Sequence, residues 1–409
     1  MTLVARTRRL DHDVDLVAVS GSTGVLFEQA GIGLAGRGVA LRIDLPVGRG
    51  RLTTAADDVA AALASIERDD AVGIPGCGPV AFAALPFADE TPGSVVVPAV
   101  VVGRADDGTR WLTTIDDGGG DDFDVLAPVS EVAPPARFTV TASRPPDEWC
   151  DAVATAVKRL VDGWHDLEKV VLAREVVVEA DAPIDVVAVL RRLRATYPAT
   201  MLYAVDGFFG ATPELLVSRF GDVVRSHPFA GTTPRTGDPA ADARAAALLF
   251  ASAKDRAEHQ ITIDMVLDTV LPFCSYVDSE PEPSIVSLAN VQHLASLVEG
   301  RLSSPPATAL ALVAALHPTP AVCGWPTVEA RALIAELEQL DRGRYTGNVG
   351  WVDADGNGRF AVAIRGAEID GHRARLFAGN GIVADSDPRI ELTETQAKLQ
   401  AMLTAIVRP

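Results

Sequence analysis

Two groups of acidic residues fall at helical spacing. Glu391, Glu394 and Lys398 stand at i, i+3 and i+7, so they share one face close to a helix N-terminus. Asp255 and Glu258 repeat the pattern in Lys-Asp-Arg-Ala-Glu-His. Taken singly, each group is either a solvated charged face or part of a site for a hard cation. Magnesium is held by one or two carboxylates together with waters and ligand oxygens, and two such helices supply that set. Paired histidines at zinc-ligand spacing are absent, so zinc is not expected.

Lys169 opens a run rich in β-branched residues, and Glu214 follows Pro213 at the start of another. A lysine or glutamate buried at a strand end is pushed toward neutrality, which is what a general base amine and a general acid carboxyl require. Either side chain could equally point into water. Arg365 closes a strand-like run, and its planar fork suits a carboxylate, although a surface arginine looks the same in sequence. Gly379-Asn380-Gly381 is a glycine-spaced segment whose N–H groups can cradle an anion or merely turn the chain. His227 and His317 precede prolines and read as structural histidines, while His259 lies beside Glu258 and His293 within Val-Gln-His-Leu.

The elements that must carry these groups can be read from periodicity. Short strands are expected at Val17–Ser20, Val39–Ile43 and Ser94–Val102, and the acidic tract Asp116–Asp122 reads as a surface loop. A helix is expected from Asp147 to Asp166 and a strand from Lys169 to Val178. A helix over Ile184–Thr196 and strands at Met201–Val205 and Leu215–Phe220 follow. Asp242–Leu271 reads as one long helix. Val349–Val352, Phe360–Ile364 and Arg373–Phe377 read as an antiparallel meander, and Thr393–Ile406 as a last helix. Strands and helices mix without a βαβ rhythm, which favours α+β.

Composition narrows the partners. Against 36 Lys and Arg stand 55 Asp and Glu, a formal charge of −19. Without a basic stripe, such a chain is a poor ligand for nucleic acid. It can hold an anion only where cations are concentrated or a metal is recruited. Cys77, Cys150, Cys274 and Cys323 match no zinc framework and read as scattered thiols. No signal peptide or membrane span is expected, so the cytoplasm is the expected compartment. Gly31-Ile32-Gly33-Leu34-Ala35-Gly36 satisfies the dinucleotide pattern GxGxxG, but another glycine and a strand-like run follow instead of a helix. A hairpin is expected there, and Asp57 and Asp58, at ribose-contact distance in sequence, fall in a helix-like alanine-rich segment.

Taken together, residues 150–409 resemble the chorismate-utilising enzymes, and among them the isochorismate synthases of menaquinone and siderophore pathways. The resemblance runs through Lys169–Arg174, Thr212–Leu216, His227–Thr232, Ala257–His259, Gln292–Leu294, Ala315–Val322, Tyr345–Trp351 and Ala378–Lys398. Residues 1–145 match loosely and read as the variable part of a single domain spanning 1–409. The resemblance implies an α+β fold of two large antiparallel sheets packed face to face with flanking helices. It implies Mg²⁺ as cofactor and chorismate as substrate. Catalysis then falls to Lys169, Glu214 and His293, and metal binding to Glu258, Glu394, Glu391 and Asp255. Substrate contacts fall to Gly231, Thr232, Ala321, Tyr345, Arg365, Gly379, Gly381 and Lys398.

Subtype follows from three positions. The amine-adding anthranilate synthases have glutamine where Lys169 stands, so lysine favours water as nucleophile and no amidotransferase subunit is expected. Aminodeoxychorismate synthases place a nucleophilic lysine where Ala230 stands. Salicylate synthases tend to have threonine at Ala321, and alanine favours stopping at isochorismate. A salicylate synthase and a non-catalytic chorismate binder are the two rivals. Asp255 departs from the usual glutamate, Asn380 from a small residue, Asn348 from proline, and Cys323 from glycine or serine. A monomer is expected, because the family needs no shared site.

Overall fold

Strands that read as unbroken apolar runs are buried on both faces. In Met201–Val205, Met201, Tyr203 and Val205 pack inward with Phe82, Val349 and Trp351 of a second sheet. Leu202 and Ala204 pack outward with residues of the helices Val186–Thr196 and Pro388–Val407. Val80–Leu85 alternates likewise, with Ala81, Ala83 and Leu85 turned toward the helices Arg51–Ala64 and Ala309–Leu316. The period of two thus places helices outside and a shared apolar layer between two sheets.

The computed structural model describes residues 2–117, 133–289 and 291–408. Among them, thirteen strands form one sheet, nine a second and three a small third. Every pairing is antiparallel except Val4–Arg9 beside Glu67–Asp70. This is the expected α+β architecture of two large antiparallel sheets with flanking helices. The first 117 residues enter both large sheets: Val25–Gln29 pairs with Met201–Val205, and Val80–Leu85 with Asn348–Asp353. Among the described residues no helix is long and apolar enough to cross a membrane. Of the tract Asp116–Asp122, residues 118–122 lie outside the described residues.

Several expected elements differ. Leu16–Ser20 is a helix rather than a strand, because Asp15 caps it by accepting from the Val17 N–H. The stretch Asp242–Leu271 is two helices, Pro239–Ala251 and Ala253–Val270. Ser252 breaks it: its backbone is extended and its hydroxyl caps the second helix at the Asp255 N–H. Ser94–Val102 is two strands in different sheets, parted at Pro98, which has no N–H for a ladder. The meander holds only for Asn348–Asp353 and Gly358–Val362, since Arg373–Ile382 belongs to the other sheet. The GxGxxG run forms the expected hairpin, with Gly31 at φ 79 in its turn. Asp57 and Asp58 are exposed on the helix Arg51–Ala64.

The two large sheets exchange the chain at neighbouring crossovers. Pro213-Glu214 carries it out of the thirteen-stranded sheet, and Ala363-Ile364-Arg365 carries it back. The crossovers are bonded side by side. The Val362 N–H donates to Glu214 O at 3.1 Å, Thr212 Oγ1 to Val362 O at 2.8 Å, and the Ala211 N–H to Arg365 O at 3.1 Å.

Candidate active site

Each functional side chain is placed by an element end. Lys169 begins the strand Lys169–Ala180, which runs antiparallel to Arg373–Ile382 with Val171 opposite Gly381 and Ala173 opposite Gly379. The helix Pro388–Val407 follows, capped by Asp387, and brings Glu391, Glu394 and Lys398 to the same place. Phe229–Pro234 and Val291–Ala295 supply Gly231, Thr232 and His293 from the small sheet. The helix Ala253–Val270 adds Asp255 and Glu258. With Glu214 and Arg365 from the crossovers, and with Ala321 and Tyr345, all these residues line one cleft of about 900 Å³ counted to its mouth. His227, His259 and His317 do not line it.

The cleft is strongly charged. Lys169 Nζ lies 2.7 Å from Glu258 Oε1, and the lysine is almost wholly buried. A Cβ at Gly381 would stand 2.5 Å from Lys169 Cε, so any larger residue would push the end of the lysine out of its place. Lys398 Nζ meets Glu394 Oε1 at 2.7 Å and also donates to Gly379 O and Asn380 Oδ1. Asn380 Nδ2 donates in turn to Glu391 Oε2 at 2.9 Å. Burial raises the Glu391 carboxyl above its usual range, and the neighbouring Glu394 adds to the rise.

Glu214 is 4% exposed. Burial pushes its pKa up to about 7, against the pull of the Phe229 N–H and of Lys169. That places a proton donor in the cleft near neutral pH. Burial holds His293 well below the usual histidine range, so its imidazole is neutral. One ring nitrogen, Nδ1, lies 3.0 Å from Thr232 Oγ1, while the buried Nε2 has no partner among the described residues. Such an orphan is open to a water or to a polar ligand atom. The Tyr345 ring stacks on Phe377 at 5.2 Å, and burial pushes its phenol up to about 12, so it stays protonated. Arg365 sits at φ 53 and forms no ion pair among the described residues. Burial lowers its guanidinium pKa.

The donor set fits a hard cation. The cleft offers four carboxylates besides Glu214, all with oxygen donors. Among the described residues, no three His, Cys, Asp or Glu side chains converge as a ready-made cage. Magnesium needs none, because it keeps waters and takes ligand oxygens. Charge points the same way. Lys169, Arg365 and Lys398 face Asp255, Glu258, Glu391 and Glu394, so a divalent ion in the cleft would meet more carboxyl groups than cations.

Sequence reading missed three contributors. Thr346 lines the cleft at φ 60, a conformation no local pattern announces. Behind it lies the buried pair Glu338–Arg342. Its i, i+4 spacing was visible, but surface pairs share that spacing. Asn380 reads in sequence only as a departure from a small residue, which announces none of its side-chain bonds.

Comparison with known proteins places the chain. The family model described as chorismate binding enzyme matches residues 25–407. Isochorismate synthase DhbC of Bacillus subtilis is 43% identical over 272 residues, covering 64% of this chain and 68% of the relative. The vibriobactin-specific isochorismate synthase of Vibrio cholerae is 41% identical over 256 residues, covering 61% and 65%. The solved structure of MenF, the menaquinone-specific isochorismate synthase of Escherichia coli, shares the fold with a TM-score of 0.78. It is 23% identical and covers 99% of this chain and 95% of that one. With nearly its whole length matched, this chain belongs to the chorismate-binding enzyme family.

Proposed function

We propose that the chain is a Mg²⁺-dependent isochorismate synthase. The observation that carries the reading is Lys169 and Glu214 lining one cleft, close enough for the lysine's charge to act on the carboxyl, with the carboxyl poised near pH 7. Chorismate is a dianion with a ring carboxylate and an enolpyruvyl carboxylate. Arg365 and the Gly379–Gly381 backbone receive its carboxylates, and the neutral His293 faces the ring. In its neutral form, Lys169 takes a proton from the water that attacks ring C2. The double bond shifts, and Glu214 protonates the C4 hydroxyl as it leaves. One water enters and one departs, so the net change is an isomerisation.

Glu258 and Glu394 would hold Mg²⁺, with Asp255 and Glu391 beside them. When bound, the ion supplies Lewis-acid charge to the ring carboxylate. The residues also support a role for a cation. Lys169 is engaged with Glu258, and Mg²⁺ held by that carboxylate would weaken the pairing and favour the neutral amine that a base requires. Within this reading, residues 1–409 work as one domain, as a cytoplasmic monomer without an amidotransferase subunit.

Product analysis after incubation with chorismate and Mg²⁺ tests the reading. Isochorismate alone is expected. Salicylate with pyruvate would show a lyase, and no product would show a binder. Either result overturns the assignment. Arg365→Lys keeps the charge and loses the fork. Its kcat/KM for chorismate is expected to fall roughly tenfold to a hundredfold, the size of a charge-assisted hydrogen bond of about 1.5–3 kcal/mol. Steady-state kinetics within twofold of wild type would remove Arg365 from the substrate site.

A further inference from the structure

A buried ion pair stands behind the cleft without lining it. Arg342 and Glu338 are 3% and 4% exposed, and every N–H of the arginine is used. Nε donates to Glu338 Oε1 and Nη2 to Glu338 Oε2, both at 2.7 Å. The other hydrogens reach out: Nη2 to Val171 O at 2.8 Å, Nη1 to Val322 O at 2.9 Å, and Nη1 to Thr346 Oγ1 at 3.1 Å. Glu338 Oε2 accepts in addition from the Ala173 N–H at 2.8 Å. Below the guanidinium lies the Phe87 ring, 4.4 Å from its carbon.

Each tether ends on a different wall. Val171 lies two residues along the strand from Lys169. Val322 follows Ala321. Thr346 follows Tyr345, to whose carbonyl its hydroxyl donates at 2.6 Å. Val171, Val322 and Thr346 all line the cleft. Thr346 holds a left-handed backbone, φ 60, which a threonine adopts only under constraint. Stability alone does not call for this arrangement, since a buried ion pair is often no better than apolar residues of similar volume. Three tethers converging on three walls of one site do call for it.

We propose that Arg342, oriented by Glu338, is a positioning residue that sets the spacing between the walls carrying Lys169, Ala321 and Tyr345. It touches no reacting atom. It acts by fixing the amine of Lys169 relative to the ring-facing groups, and a misplacement of about 1 Å in such spacing costs on the order of 10²-fold in rate. The inference rests on the proposed isochorismate synthase reading for its assay.

Two variants separate positioning from folding. Arg342→Lys keeps a cation for Glu338 but cannot span the three tethers. The double variant E338L/R342M replaces the pair with apolar side chains and strands no buried charge, although the Ala173 N–H loses its carboxylate acceptor. In the folded variants kcat is expected to fall tenfold or more, with KM within about threefold. A double variant with wild-type kcat overturns the proposal, as does a loss carried by KM alone. If neither variant folds, the pair is a stability element and the positioning role is lost. Should wild type convert chorismate to another product, the same ratio is taken on that product, so the functional reading and this inference fail separately.

Discussion

Lys169→Ala is expected to lower kcat by about 10²–10⁴, the range contributed by a positioned acid or base. The lysine is 2% exposed, wedged against Gly381 and 2.7 Å from Glu258, so no water-exposed amine can replace it. Truncation also removes the cation that engages Glu258. If the lysine served only to neutralise that carboxylate, the variant would bind Mg²⁺ at least as tightly and recover turnover at high Mg²⁺. A base cannot be recovered that way. The decisive measurement is therefore kcat across a Mg²⁺ series, with Mg²⁺ affinity followed by calorimetry in the absence of substrate. Affinity equal to or tighter than wild type is expected, with kcat low at saturation. Turnover above one-tenth of wild type at saturating Mg²⁺ would end the assignment of Lys169 as base.

The chemistry of the site was more legible than its assembly. Glu391, Glu394 and Lys398 are readable because a helix repeats every 3.6 residues, and their shared face needs no tertiary information. That this face looks toward Lys169 depends on the pairing of Lys169–Ala180 with Arg373–Ile382, a register between segments some two hundred residues apart. Periodicity carries no such register. The same limit explains the false meander: Gly358–Val362 and Arg373–Ile382 alternate alike, and only the turn at Arg365 sends them to different sheets. Short caps defeated two other elements. Asp15 and Ser252 each satisfy helix N–H groups that propensity over a window cannot weigh. Glu338 and Arg342 escaped notice because i, i+4 charge pairs are ordinary on helix surfaces, and burial is what distinguishes this one. Asn380 reads in sequence only as a departure from a small residue. Its side chain joins Lys398 to Glu391, a bond that only the packed helix reveals.

Glu214→Gln is expected to lower turnover as far as Lys169→Ala does, and to do so with a second signature that no loss of packing imitates. Gln is nearly isosteric with Glu and can donate a hydrogen bond, but it cannot deliver a proton to a leaving hydroxyl. A loss of about 10²–10⁴ in kcat is therefore expected. In the wild type, the protonated acid is present below about pH 7, so its contribution to kcat declines as pH rises through that value. Stability follows with a definite sign. Burial raises the folded pKa above the unfolded value, so the folded state binds the proton more tightly. Its stabilising contribution is complete below the unfolded pKa of about 4.5 and is lost as pH rises through about 7. Above that point the wild type carries a buried carboxylate that the variant lacks. The difference in unfolding free energy, variant minus wild type, is expected to be near zero at pH 5. By pH 8.5 it should turn in favour of the variant, by at most about 3 kcal/mol at 1.36 kcal/mol per pKa unit. Thermal melts of both proteins across this range read the difference, and contributions from groups that do not interact with Glu214 cancel. A difference that stays flat with pH would show that Glu214 ionises as an ordinary carboxylate. A folded variant with near wild-type turnover would show that another group protonates the leaving hydroxyl.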